Sequence, residues 1–132
     1  ELDSKEIWQS FEDNYLTSNS NKISYNSHEV QSSKKDDRIK LSLLENKKKI
    51  LIEGTGNGPI DAFINALNSY LNLNLKVSDY HQHSISSGSD ASAVAYIEIQ
   101  NKNTSDLGAG IDPNTTVASY KAILNCVSKI LS

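Results

Sequence analysis

The sequence predicts an α+β domain of two βββα units related by pseudo-twofold symmetry and preceded by an N-terminal helix. Three observations predict it. Short apolar runs alternate as half-buried strands do, and three of them precede a glycine-rich stretch, GTGNGP at residues 54–59. A helical apolar stripe follows, and the same plan then recurs and ends in a second such stripe. Shifting the chain by 54 places superposes Gly54, Gly56 and Pro59 on Gly108, Gly110 and Pro113 without a gap, a weak internal repeat. Such a pattern implies helices covering one side of antiparallel sheets, with the two glycine-proline junctions facing one another and both helix starts open to one site.

At the N-terminus Asp3 and Glu6 form a capping-box pattern, and Ile7, Trp8, Phe11, Tyr15 and Leu16 recur at helical spacing, so residues 4–16 are expected to be an amphipathic helix. The polar TSNSN at residues 17–21 is a loop. Ile23 with Tyr25, then Ile39, Leu41 and Leu43, then Ile50 with Ile52 mark three strands, while residues 26–37 are so polar that they read as a turn. Pro59 suits the first helical position, where its missing N–H is not needed, and Ile60, Phe63, Ile64, Leu67 and Leu71 form the buried stripe beyond it. Residues 73–86 are strand-like, residues 87–90 are a turn, residues 91–100 alternate small and apolar side chains, and a short strand ends at LGAGI. Pro113 and Asn114 then open a long helix through Leu131, with Asn114 as its N-cap. Residues 1–21 are thus a helix and linker from a preceding region, and residues 22–132 the domain. The first residue is Glu1 rather than a start methionine, which reads as a piece of a longer protein.

Composition narrows the function. At 132 residues the chain supports one core of ordinary size. Thirteen Lys and Arg against sixteen Asp and Glu give a formal charge of −3, which provides no electrostatic surplus for a polyanion, so no nucleic-acid partner is expected. Lys34, Lys35 and the run Lys47, Lys48 and Lys49 stand beside acidic residues and read as solvated strand ends. The single cysteine, Cys126, excludes an internal disulfide and suits a reducing, cytoplasmic compartment; it reads as packed and inert. No apolar run approaches the roughly 20 residues needed to span a bilayer.

A helix N-terminus presents unpaired N–H groups and about half a positive charge, so the GTGNGP junction is suited to a carboxylate or phosphate. The glycines equally suit a tight turn before a proline-started helix. The stretch lacks the third glycine of the dinucleotide pattern and the Lys-Ser/Thr pair of the nucleotide-hydrolase loop. His81 and His83 in DYHQHS stand two apart and share a strand face, one way to begin a zinc site, but Asp79, His28 and Asp90 supply no recognisable third spacing. No G-x-S-x-G nucleophile elbow occurs.

Taken together and in order, GNGPIDAFINAL, VSDYHQHSISSGSDASAVAYIEI and GAGIDPNTTVASYKAIL resemble the C-terminal regulatory domain of 2-isopropylmalate synthase. EIWQSFEDNYL is similar to the segment that precedes this domain in the longer-form enzymes, so the resemblance covers nearly the whole chain outside residues 26–37. It implies a feedback sensor without catalytic residues or a cofactor of its own. An upstream (β/α)8 barrel of the same chain would condense acetyl-CoA with 2-oxoisovalerate at a divalent metal. L-Leucine would bind at an interface between βββα units of a homodimer and inhibit it.

On this resemblance Gly56, Asn57 and Gly58 match the ligand-contacting loop, followed by Ile60 and Asp61 on the first helical turn. Val77, Tyr80 and Ser84 match the next strand, Ala91 and Ala93 the one after, and Ile111 the second glycine junction. A zwitterionic amino acid needs N–H donors, an ammonium acceptor and an apolar pocket, and this set supplies each. Asp61 suits the ammonium and equally complements the helix dipole. Ala91 and Ala93 leave room for an isobutyl group or simply pack sheet on helix. The sequence departs from the family at His81, commonly aromatic, and at Ser84, commonly alanine. Citramalate synthases carry a similar domain that senses isoleucine, which leaves a second effector open. A small metal- or nucleotide-dependent enzyme built on DYHQH and GTGNG is the remaining alternative.

Overall fold

The computed structural model describes residues 22–87 and 90–131. The helix expected over residues 4–16, the loop at 17–21 and the centre of the turn at 87–90 lie outside the described residues. The elements run β1 (Ile23–Ser32), β2 (Asp37–Glu45), β3 (Lys48–Gly56), α1 (Pro59–Leu71), β4 (Leu75–Ser87), β5 (Asp90–Asn101), β6 (Thr104–Asp112) and α2 (Thr115–Ile130). They form two antiparallel three-stranded sheets, β1-β2-β3 and β4-β5-β6, each followed by a helix: two βββα units, as the sequence predicts.

Alternation places Ile39, Leu41 and Leu43 of β2 and Ala93, Ala95, Ile97 and Ile99 of β5 on the faces turned toward the helices, where they join one core with Phe63, Leu67, Tyr120, Ile123 and Leu124. On the opposite face of the second sheet Val94 and Ala109 form a smaller cluster with Ile85, Tyr96 and Ile111. α1 packs on β3 and β2, and α2 on β6 and β5.

Two expectations are corrected. Residues 26–37 are not a turn: β1 continues to Ser32, pairing Ser27 with Ser42 through to Ser32 with Asp37, and only residues 33–36 reverse the chain. β1 is an edge strand whose far half is largely exposed, so backbone pairing rather than an apolar pattern makes it a strand. The repeat offset is also 56, not 54. β3 and β6 stand 56 apart at both ends, as do the pairs Asp37–Gly56 and Ala93–Asp112 and the left-handed turn residues Asn46 (φ 52°) and Lys102 (φ 58°). Gly54 therefore corresponds to Gly110, Gly58 to Asn114 and Pro59 to Thr115. β1 and β4 match at an offset of 52, so the second unit's first hairpin is four residues longer.

The glycines serve close approach between strand and helix. A Cβ on Gly54 would meet Ala62 O at 2.4 Å and Ala66 Cβ at 2.7 Å; one on Gly110 would meet Ala118 O at 2.4 Å and Ala122 N at 2.5 Å. Gly108 presses on Ala122 and Cys126 in the same way. Gly54→Ala and Gly110→Ala are each expected to lower stability by about 3 kcal/mol in denaturant titration, the upper end for overpacking, because the obstructing atoms include helix backbone. Ser69→Ala, on the exposed side of α1, is expected to change it by less than about 0.5 kcal/mol.

Candidate functional site

The starts of α1 and α2 differ in chemistry. At α1, Gly58 is the N-cap with φ 133°, a backbone conformation that side chains disfavour, and it offers no side chain to cap the first turn. Pro59 has no N–H, and the first-turn N–H groups of Ile60 and Asp61 have no carbonyl four residues back inside the helix. Asp61 folds back, its Oδ2 accepting the Asn57 N–H at 2.9 Å, which closes the Asn57–Gly58 loop. At α2 the Asn114 side chain accepts from Val117 N at 3.0 Å. Asp112, in the place of Gly56, accepts from Asn114 N at 2.9 Å and from Lys121 Nζ at 2.9 Å. The second helix start is therefore capped by a side chain, where the first is not. The cleft described next borders the start of α1 and not that of α2.

An open cleft of about 530 Å³ lies at the start of α1, lined by Asn57, Gly58, Pro59, Ile60, Asp61 and Ile64 on one side and by Lys76 and Val77 of β4 on the other. It joins first-turn N–H donors, an ammonium, a carboxylate and three aliphatic side chains. Of the residues singled out in the sequence, Asn57, Gly58, Ile60, Asp61 and Val77 meet here. Gly56 lies just behind, where a Cβ would meet Asp61 Oδ2 at 2.6 Å.

Tyr80 shares Val77's face although the two are three residues apart, because a bulge at Ser78 interrupts the register between Val77 and Asp79. Ser78 Oγ donates to Glu98 Oε1 at 2.8 Å in that bulge. Ser84 is exposed and paired with Ala93. Ala93 is 4% exposed in the main core and does not border the cleft. Ala91 pairs with Ser86 through its backbone. Ile111, paired with Val94, lies on the opposite face of the sheet from Ala93. Sequence reasoning missed Lys76 and the residues that hold the cleft walls. The three-residue spacing of Val77 and Tyr80 across a serine was the available signal.

Those supports converge on α2. Tyr120 is fully buried, its ring 4.5 Å from that of Phe63 and edge-on to His28 at 5.0 Å, and its hydroxyl donates to Pro59 O at 3.3 Å. Burial, then the neighbouring Tyr25 and Asp37, holds its phenol far above the ordinary range. His28 Nδ1 bonds Tyr25 Oη at 2.7 Å, and burial lowers the imidazole pKa. Ser119 Oγ donates to Thr115 O at 3.1 Å, so Tyr80 is the donor in the 2.6 Å contact between Tyr80 Oη and Ser119 Oγ. Gln82 Nε2 donates to Thr115 O at 2.9 Å. At the far end of α1, Asn68 Oδ1 accepts from Leu75 N at 2.8 Å and fixes the start of β4.

On the outer face of the second sheet His81 Nε2 lies 3.1 Å from Asp79 Oδ2, and His83 is edge-on to Tyr96 at 6.2 Å. Among the described residues no three His, Cys, Asp or Glu side chains come together. Cys126 is buried, and that burial pushes its thiol up to about 12. None of the described helices is long and apolar enough to cross a membrane.

Two βββα units, the first with an uncapped helix start beside an apolar and charged cleft, define an α+β domain of paired βββα units. The chain belongs to the LeuA allosteric (dimerisation) domain family, whose profile matches residues 1–131. Similar proteins include the 2-isopropylmalate synthases of Agrobacterium fabrum (36% identical over 134 residues, 99% of this chain and 24% of that protein) and Brucella suis (35% over 135 residues, 100% and 24%). That of Corynebacterium glutamicum is 34% identical over 133 residues, 99% of this chain and 21% of that protein. The chain thus spans about a quarter of the length of the curated relatives it matches.

Burial alone would raise the Asp112 pKa, but the hydrogen bonds from Lys121 and the Asn114 N–H outweigh it and hold the carboxyl below its ordinary 3.8. A depressed carboxyl stabilises the fold fully above its unfolded value and loses that contribution as pH falls through its folded value. Asp112→Asn is therefore expected to melt below the wild type at pH 7, with the gap closing once pH drops beneath about 3.8. Thermal melts across pH check this.

Proposed function

We propose that the chain is the regulatory part of a 2-isopropylmalate synthase, that it binds L-leucine in the cleft at the start of α1, and that this binding feeds back on an upstream barrel of the same chain. The barrel would carry the condensation of acetyl-CoA with 2-oxoisovalerate and its divalent metal, in the cytoplasm. The observation that carries the reading is the meeting, in one cleft, of open first-turn N–H groups and Lys76 with Asp61 and the aliphatic wall of Ile60, Ile64 and Val77. A carboxylate suits the helix start, an ammonium suits Asp61, and an isobutyl group suits the aliphatic wall.

Gly56, Asn57, Gly58, Ile60, Asp61 and Val77 are assigned to this half of the site. Tyr80, Ser84 and Ala91 lie further along the second sheet, and the reading gives them to the part that a partner subunit completes; Ala93, in the core, and Ile111, on the opposite sheet face, would act on that part only through the strands that carry them. A homodimer follows from that division, since the cleft is open to solvent on the single chain.

L-Leucine at about 100 times its dissociation constant is expected to add roughly 2.7 kcal/mol of stability and to raise the melting temperature of the chain. Valine and isoleucine should raise it less. A shift by ATP, NAD or zinc without one by any branched-chain amino acid would overturn the reading, and a larger shift by isoleucine than by leucine would reassign the effector.

A further inference from the structure

The cleft has two walls from different units, and two adjacent residues of α2 hold one wall each. Neither lines the cleft. Tyr120 reaches the first residue of α1 through its hydroxyl on Pro59 O and its ring on Phe63, and so fixes the Asn57–Gly58 loop side. Ser119 points toward β4, where its Oγ takes the Tyr80 hydroxyl at 2.6 Å, three residues beyond Val77. Gln82, bonded to Thr115 O, reinforces that attachment one turn earlier on α2.

Consecutive helical residues stand about 100° apart, so one short segment of α2 faces both units at once. Asn68 ties α1 to β4 at the helix's other end, away from the cleft. We infer that Ser119 and Tyr120 are positioning residues that set the width of the cleft from behind, without touching its occupant. This rests on the assignment of the cleft as the leucine site. The inference concerns a pair on α2 outside that site, and it has a readout that needs no ligand.

The test uses the 132-residue chain. Tyr120→Phe keeps the buried ring and removes only the bond to Pro59; Ser119→Ala removes the acceptor for Tyr80. Tyr80→Phe removes the same bond from the exposed end, which keeps the test open if Ser119→Ala fails to fold. Ile123→Val, a core change elsewhere on α2, is the control for general destabilisation. Amide hydrogen exchange without ligand is expected to quicken selectively at residues 57–61 in Tyr120→Phe and at residues 76–82 in Ser119→Ala and Tyr80→Phe.

Calorimetric titration is expected to show leucine binding weakened roughly threefold to tenfold in Tyr120→Phe and Ser119→Ala, the range for one lost hydrogen bond, and unchanged in Ile123→Val, while Tyr80→Phe is read by exchange alone because Tyr80 is itself assigned to the site. Exchange that quickens evenly along the chain, or leucine affinity that survives local loosening, would overturn the inference. If the wild type binds no leucine, the effector assignment falls, and the exchange pattern alone decides whether this pair holds the walls.

Discussion

The contact on which the structure depends is the approach of each helix backbone to its own edge strand, closer than any side chain permits. Gly54 beneath Ala62 and Ala66, and Gly110 beneath Ala118 and Ala122, are the two equivalent points. With no Cβ on the strand and only a methyl on the helix, each helix is held at one height along the strand, because sliding by a residue would bring a side chain into the gap. Height along the strand decides how far the first helical turn stands beyond the strand's end. The open start of α1 is thus a consequence of packing some two turns into that helix.

The same packing produces two units and then the local chemistry makes them unequal. Where the first unit has Gly56, Gly58 and Pro59, the second has Asp112, Asn114 and Thr115 at the offset of 56. Asn114 caps the Val117 N–H, Asp112 accepts from the Asn114 N–H, and Lys121 pairs with the Asp112 carboxylate. One start is capped by a side chain and the other is not. Pseudo-symmetry of the backbone therefore leaves the two helix starts chemically unequal, and the difference lies in the side chains of Asp112, Asn114 and Lys121.

Those facts were legible in the sequence to different degrees for physical reasons. Asn114 and Pro59 act within one turn, so their roles could be read directly, as could strands with one buried face such as β2. The far half of β1 could not, because an edge strand needs one hydrogen-bonding neighbour and no apolar pattern. The offset of 54 was misleading because Gly108 and Gly110 both press against α2, two residues apart, and either can be laid on Gly54. Five of the cleft residues were named from the sequence, but not Lys76, whose place depends on the bulge at Ser78 and on Asn68 clipping β4. Bulges leave almost no mark on composition. Those at Asn26 and Ser78 turn Tyr25 with His28, and Val77 with Tyr80, onto single faces.

The location of the cleft bears on how binding there could be felt elsewhere. A ligand shifts a conformational balance only by its difference in affinity for the two arrangements. A site built wholly within one rigid unit would offer little such difference, since its walls cannot move apart without breaking the core. Here one wall is α1 of the first unit and the other is β4 of the second, joined across the main core by Tyr120 packed on Phe63 and on His28 of β1. A small change in the angle between units alters the cleft, and an occupant bridging Ile60 and Val77 would resist that change. The cost of separating the units would then be the quantity a bound molecule raises, and the aromatic cluster, with the bonds from Ser128 to Ile23 and from Lys22 to Leu131, is part of what keeps the two units in one domain.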